Sequence, residues 1–124
     1  MCMGEVINLG KQRSVEARNQ DYQRLFARYA EVHKRWLDFS AYVSDAPDEH
    51  KAVLESLRDE TNAALHTIYN NLTTHGPELD QGVIMQNTQV MNECLRIFEA
   101  SLGQKVIEKP SAELLQFARQ QTAS

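Results

Sequence analysis

The stretch that decides the fold is residues 22–43, YQRLFARYAEVHKRWLDFSAYV. Apolar side chains recur in it at spacings of three and four, at Tyr22, Leu25, Tyr29, Val32, Trp36, Phe39 and Val43. This spacing is the a/d pattern of a heptad repeat, and on a helix its members form one narrow seam. Because such a seam has to face another helix, the stretch predicts a helical bundle.

Three interruptions divide the remaining apolar periodicity into further helices. Pro47, Gly76-Pro77 and Gly103 supply these interruptions, since proline cannot continue a helix and glycine favours a helix end. Asp45 is predicted to cap the second helix, and Ser111 is predicted to introduce the last one. The predicted helices span residues 14–43, 47–73, 78–102 and 110–121.

The order and length of these helices predict an all-α fold. Short connections favour antiparallel neighbours, so we expect an antiparallel up-down bundle of three long helices and a short C-terminal helix. A chain of 124 residues fits one hydrophobic core. We therefore predict a tail over residues 1–11 and a single helical domain over residues 12–124.

The charges are unevenly distributed along the chain. Residues 11–43 hold seven basic and four acidic side chains, which gives +3. Residues 44–80 hold two basic and eight acidic side chains, which gives −6 within a chain of net charge −4. This polarity favours antiparallel packing of the first two helices, or the binding of a charged partner.

The sequence also bears on the cellular compartment. No apolar run approaches the roughly 20 residues that cross a bilayer, so we predict no membrane segment. The first residues lack the basic region and long apolar core of a secretory signal, and we expect a cytoplasmic protein. Cys2 and Cys94 are far apart, and two cysteines are too few for a disulfide scaffold. We predict that both are reduced thiols.

Catalytic signatures are weak in this chain. None of the four histidines has a glutamate three residues before it, as bundle metal sites require. Cys94 lies in an apolar pattern, which raises rather than lowers the pKa of a thiol. The five glycines are scattered and form no nucleotide-binding loop. We therefore predict no catalytic residue, no metal and no cofactor.

Surplus apolar surface is the main sign of function. The third predicted helix carries Ile84, Met91, Leu95, Phe98 and Leu102, and also a second track formed by Val83, Val90 and Ile97. Such a helix is either central or buries a second face against another chain. We predict a homodimer that also binds another protein, and that lysine at Val90 and Ile97 separates the dimer. The predicted partner-binding residues are Tyr29, Trp36, Tyr42, Val83, Val90, Ile97, Val6, Ile7 and Leu9.

These observations favour a small adaptor or regulator that binds another protein, for example by inhibiting a transcription factor or chaperoning a partner. One alternative is a helical regulator that contacts nucleic acid through Arg24, Arg28 and Arg35. Glu31 interrupts that basic side and the whole chain is acidic, so the prediction is against nucleic acid. A second alternative is a ligand-binding or enzymatic bundle, with the aromatic seam lining a pocket.

Overall fold

The computed structural model describes residues 15–123, with side-chain surroundings over residues 15–120. The α-helices are α1 (Val15–Ser44), α2 (Asp48–His75), α3 (Gln81–Glu99) and α4 (Ala112–Ala123). A 3₁₀ turn (Gly76–Glu78) precedes α3, and a π-helical turn (Ala100–Gln104) follows it. The described part of the chain contains no strand, so the predicted all-α bundle of four packed helices is confirmed. The predicted tail, with Val6, Ile7 and Leu9, lies outside the described residues.

One hydrophobic core joins the four helices. Helix α1 packs against α2 and α3, and α4 packs mainly against α2. Phe39 of α1 stacks on Phe98 of α3 with ring centroids 5.0 Å apart, and both rings are buried. Dispersion contacts and apolar burial of this kind supply most of the energy that holds helices together.

The heptad seam of α1 is divided between core and surface. Its buried members are Leu25, Val32, Phe39 and Val43. Tyr22, Tyr29 and Trp36 are only partly buried, and they pack against the edge of the core. The seam therefore gives the helix its buried stripe and leaves a row of aromatic side chains beside it.

The burial of side chains on α3 differs from what the sequence predicts for a dimer surface. Val90 is 4% exposed and Ile97 is fully buried, and Val83 is half-buried against the same core. Helix α3 contacts α1, α2 and α4, and these neighbours bury Val90 and Ile97 of the second track together with Met91 and Phe98 of the first. Val90 and Ile97 are therefore core residues of a single chain, and their predicted place on a dimer surface is wrong.

The start of α2 differs from its predicted cap. Pro47 is the residue before the helix, with extended backbone at φ −60° and ψ 147°, and no side chain caps it. The carbonyl of Pro47 accepts a hydrogen bond from the His50 N–H at 3.0 Å. Asp45 lies in the preceding turn, where its own N–H bonds to the Tyr42 carbonyl. The predicted Asp45 cap is wrong because the turn holds that residue away from the helix.

The break between α2 and α3 is longer than predicted. Gly76 has a φ of 56°, which glycine adopts without strain, and it ends α2 as expected. Pro77 then opens the 3₁₀ turn rather than the helix itself. Helix α3 begins at Gln81, where the Asp80 carboxylate accepts a hydrogen bond from the Gly82 N–H at 3.0 Å. The predicted start at residue 78 is therefore three residues early.

The end of α3 is also different from the prediction. Gly103 lies inside the π-helical turn, and Lys105 takes the left-handed conformation with φ 58° and ψ 34°. The Val106 N–H bonds back to the Ala100 carbonyl at 3.0 Å, which closes the turn. The Lys105 ammonium lies 4.7 Å from the centre of the Tyr42 ring, a cation–π contact. Lys105, not Gly103, terminates this segment.

Ser111 caps α4, as predicted from the sequence. Its hydroxyl oxygen accepts a hydrogen bond from the Leu114 N–H at 3.1 Å. The same hydroxyl donates to the Glu93 carboxylate at 2.7 Å, and the Ser111 N–H donates to the other carboxylate oxygen at 2.6 Å. Glu93 of α3 therefore fixes the start of α4 against the bundle.

Replacing Ser111 with alanine is expected to lower the free energy of unfolding by about 2 kcal/mol. The change removes a helix cap and a hydrogen bond to a charged group. Urea unfolding followed by circular dichroism measures this loss. Ser44→Ala, on the exposed end of α1, is the control, and we expect less than about 0.5 kcal/mol there. Equal effects of the two substitutions would contradict the capping role of Ser111.

None of the helices in the described part of the chain is long and apolar enough to cross a membrane.

Candidate functional site: an aromatic ridge

Six aromatic side chains of α1 and α2 form a continuous surface, which we call the aromatic ridge. Five of them come from α1 at spacings of three and four, which places them along one side of the helix. All are partly or substantially exposed. The ridge consists of Tyr22, Phe26, Tyr29, His33 and Trp36 of α1, and Tyr69 of α2.

The rings of α1 contact one another in an unbroken series. Tyr22 and Phe26 have centroids 5.9 Å apart, and Phe26 and Tyr29 are 6.1 Å apart, both pairs edge to face. His33 stacks between Tyr29, at 5.9 Å, and Trp36, at 6.1 Å. These distances are those of favourable aromatic pairs. The series extends along α1 for roughly 21 Å, given about 1.5 Å per helical residue.

Tyr69 attaches the ridge to the second helix. Its ring lies 6.4 Å from Phe26 and 5.7 Å from Tyr29, and it is 43% exposed. Burial raises the pKa of Tyr29 above its ordinary value of 10.0, and the neighbouring Tyr69 raises it further. The Tyr29 hydroxyl is therefore harder to deprotonate than that of an exposed tyrosine.

Trp36 is held in one orientation by α2. Its Nε1–H donates a hydrogen bond to the backbone oxygen of Arg58 at 3.1 Å. That oxygen also accepts the Thr61 hydroxyl at 3.0 Å. Because the indole N–H already has its partner, the exposed part of the ring presents an apolar surface. Leu37, the next residue of α1, is 52% exposed and extends the apolar surface one turn beyond His33.

Only some of the predicted partner-binding residues lie in the aromatic ridge. Tyr29 and Trp36 both belong to the ridge, but Tyr42 does not, since it packs beneath the Lys105 ammonium. The sequence interpretation did not include His33 or Tyr69 among the candidate residues. For His33 a signal existed, because it lies four residues after Tyr29 and three before Trp36.

The three candidate nucleic-acid contacts do not form one cationic face. Arg24 is an exposed side chain 4.0 Å from the Asp21 carboxylate. Arg28 pairs with Glu31 at 3.0 Å and donates to the Asn92 side chain at 2.9 Å. Arg35 and Glu99 both line an open depression of about 420 Å³ between α1 and the π-helical turn. The carboxylates of Asp21 and Glu31 therefore compensate part of the positive charge on this side of α1.

Metal-ligand clusters and the Cys94 thiol are the two catalytic features that the described residues allow to be checked. Over residues 15–120, no three His, Cys, Asp or Glu side chains lie close enough together to hold a metal ion. Cys94 is fully buried, and burial, with a smaller contribution from Glu93, raises the pKa of its thiol to about 12. A thiol with that pKa carries almost no thiolate at neutral pH and is a poor nucleophile.

Comparison with protein-family models, curated proteins and solved structures gives no match for this chain.

Proposed function

We propose that the protein is a small helical adaptor or regulator that binds another protein through the aromatic ridge and catalyses no reaction. The observation that carries this proposal is the unbroken series of partly exposed rings on α1 and α2. Tyrosine and tryptophan are enriched at protein interfaces and supply much of the binding energy there.

The contacts that each ring makes within the ridge support this function. Each ring contacts a neighbouring ring, and the hydrogen bond from Trp36 to Arg58 ties the series to α2. Side chains that are already ordered lose little conformational entropy when a partner binds. Half-buried rings keep apolar area that a partner can still remove from water, so the ridge is suited to binding with modest ordering cost.

We also propose the antiparallel up-down arrangement and a cytoplasmic setting. Arg18, near the start of α1, pairs at 3.2 Å with Glu78, just after the end of α2. Trp36, in the second half of α1, bonds to Arg58 in the first half of α2. Both contacts support antiparallel neighbours. The cytoplasmic setting is supported by the sequence, in which two widely spaced cysteines are too few for a disulfide scaffold.

The ridge variant Phe26→Ser/Tyr69→Ser is expected to lose its protein partner. Tagged full-length chain, purified gently from the native host after nuclease treatment, is expected to bring down one stoichiometric protein. We expect affinity to fall about 30-fold in the variant, as when two aromatic anchors of an interface are truncated. Quantitative mass spectrometry of the eluted complexes, followed by titration of the purified partner, measures the change.

The control for this experiment is Met85→Ser, an exposed apolar side chain on α3 that lies outside the ridge. Circular dichroism checks that both variants remain helical. Retention of the partner by the ridge variant, or equal loss in the control, would show that the ridge is not the binding surface. Elution of wild-type chain without any partner would also count against the adaptor function.

We propose self-association as a second use of the same surface. With Val90 and Ile97 inside the core, the partly exposed rings of the ridge offer apolar surface to a second copy of the chain. Sedimentation of the purified protein tests the proposed homodimer. A wild-type dimer that becomes a monomer in the ridge variant would identify the second copy as the occupant.

A further inference from the structure

A second surface, with different chemistry, lies on the opposite flank of α2. Two adjoining depressions, of about 390 and 680 Å³, run between α2, α4 and the segment that joins α3 to α4. They share Ala52, Ser56 and Glu60, so they form one open channel, which we call the acidic groove.

Apolar side chains line the acidic groove. Leu57 and Ala118 are buried beneath it, and Ile107 and Leu115 border it as half-buried side chains. Val53 also lines it and is 55% exposed, although its side chain is large and apolar. The lining therefore keeps apolar area that water now covers and that a partner can bury.

The groove has the length of a short docked helix. It follows α2 from Ala52 to Ala63, which is roughly 16 Å at about 1.5 Å per residue. That distance corresponds to about three helical turns. An amphipathic helix that lies in such a channel buries side chains at spacings of three, four and seven.

The charges around the groove are mainly negative. Four carboxylates line it, from Glu55, Asp59, Glu60 and Glu108, and they outnumber the two cations, Lys109 and Arg119. Asp59 is paired with Arg58 at 3.2 Å, whereas Glu55 makes no ion pair with any of the described residues. Because acidic side chains outnumber basic ones in the lining, the groove keeps negative charge that a basic partner can offset.

We propose that the acidic groove binds a helical segment of another protein that has one apolar face flanked by lysine or arginine. The apolar lining accepts the face of the helix, and Glu55, Asp59 and Glu60 attract its basic flanks. An acidic helix is repelled by the same carboxylates, so the charge selects the partner. This inference uses none of the residues of the aromatic ridge and stands independently of the proposed function.

The test uses the full chain and a synthetic peptide. The probe is a fluorescent amphipathic helix of leucine and lysine, about 18 residues or five turns long. A matched peptide with glutamate in place of lysine is the comparison. Fluorescence anisotropy at low salt is expected to show that the lysine peptide binds at least tenfold more tightly than the glutamate peptide.

Paired charge reversals locate the binding. Glu55→Lys/Asp59→Lys is expected to weaken binding of the lysine peptide about tenfold, because two attractive contacts become repulsive. Glu16→Lys/Asp38→Lys changes the net charge equally, on exposed positions of α1 outside the groove, and is expected to bind nearly as wild type. Val53→Asp, at an exposed apolar position, is expected to weaken binding while the helical content stays unchanged.

Several results would overturn the proposal. Equal weakening by the two charge-reversed variants would show general attraction to an acidic protein. Equal affinity of the two peptides, or no binding of either one, would show that the groove does not select basic helices. The ridge variant Phe26→Ser/Tyr69→Ser is expected to bind the peptide normally. Loss of binding in that variant alone would place the peptide on the ridge, so failure of the two proposals can be distinguished.

Discussion

The substitution Ile97→Lys is expected to unfold the chain rather than to separate two copies of it. Ile97 is fully buried in the hydrophobic core, where an ammonium group would be removed from water and surrounded by apolar side chains. Burying an unpaired charge costs several kcal/mol, and a small domain is stable by only about 5–15 kcal/mol. Loss of the helical circular dichroism signal and of a cooperative thermal transition measures this effect.

Met85→Lys is the matched control for Ile97→Lys. Met85 lies on the same helix but is 60% exposed, so we expect a change of less than about 0.5 kcal/mol. A folded, monomeric Ile97→Lys variant of a dimeric wild type would place the side chain at an interface and contradict its burial within one chain.

The second track of α3 shows what helical periodicity can and cannot predict. The spacing of the apolar residues Val83, Val90 and Ile97 correctly predicts that they share one side of a helix. Periodicity gives the width of an apolar arc, but it does not give the number of helices that cover that arc. Because α3 contacts three other helices, a wide arc is buried without a second chain.

The heptad seam of α1 also shows that local spacing does not predict how exposed each side chain is. Its spacing predicts the buried Leu25, Val32 and Phe39, because these alternate positions point into the bundle. The exposure of Tyr29 and Trp36 depends on how far α2 extends across that side of α1, which no local pattern records. Their selection as partner-binding residues came from side-chain type, since large rings with a polar atom are suited to interfaces.

Contacts distant in sequence explain most of what was missed at the site. Tyr69 joins the ridge from another helix, 40 residues after Tyr29, and only tertiary packing brings the two rings together. Ser111 is a cap that its local sequence predicts, but its partner Glu93 lies 18 residues earlier on α3. Local turn chemistry is readable from sequence, whereas the pairing of helix faces follows from the whole core.

The buried thiol of Cys94 is expected to make the protein less stable as the pH rises above neutral. The folded protein holds the thiol neutral, with a pKa of about 12, because burial disfavours the thiolate. In the unfolded chain the pKa is about 8.5, so the unfolded chain releases its proton first. The stabilising contribution is therefore complete below about pH 8.5 and is lost as the pH rises toward 12.

The expected slope is about 1.4 kcal/mol per pH unit above about pH 8.5. Urea unfolding at pH 7.5, 9 and 10.5 measures it, with Cys94→Ala as the comparison. Both proteins keep Tyr29, whose raised pKa also favours the protonated folded form, so the difference between their slopes isolates the thiol. We expect wild type to be the more stable at neutral pH, where alanine leaves a small cavity, and to lose that advantage at pH 10.5.

Thiol chemistry tests the same burial by a second route. At pH 8, alkylation of Cys94 by iodoacetamide is expected to be more than about a hundredfold slower in the folded protein than in urea. Mass determination of the peptide that contains Cys94 separates its reaction from that of Cys2. Parallel pH profiles for wild type and Cys94→Ala, or rapid alkylation of the folded chain, would show that α3 opens at Cys94. Slow alkylation and a steeper wild-type profile together would locate this thiol in the packed core, where it stabilises the bundle.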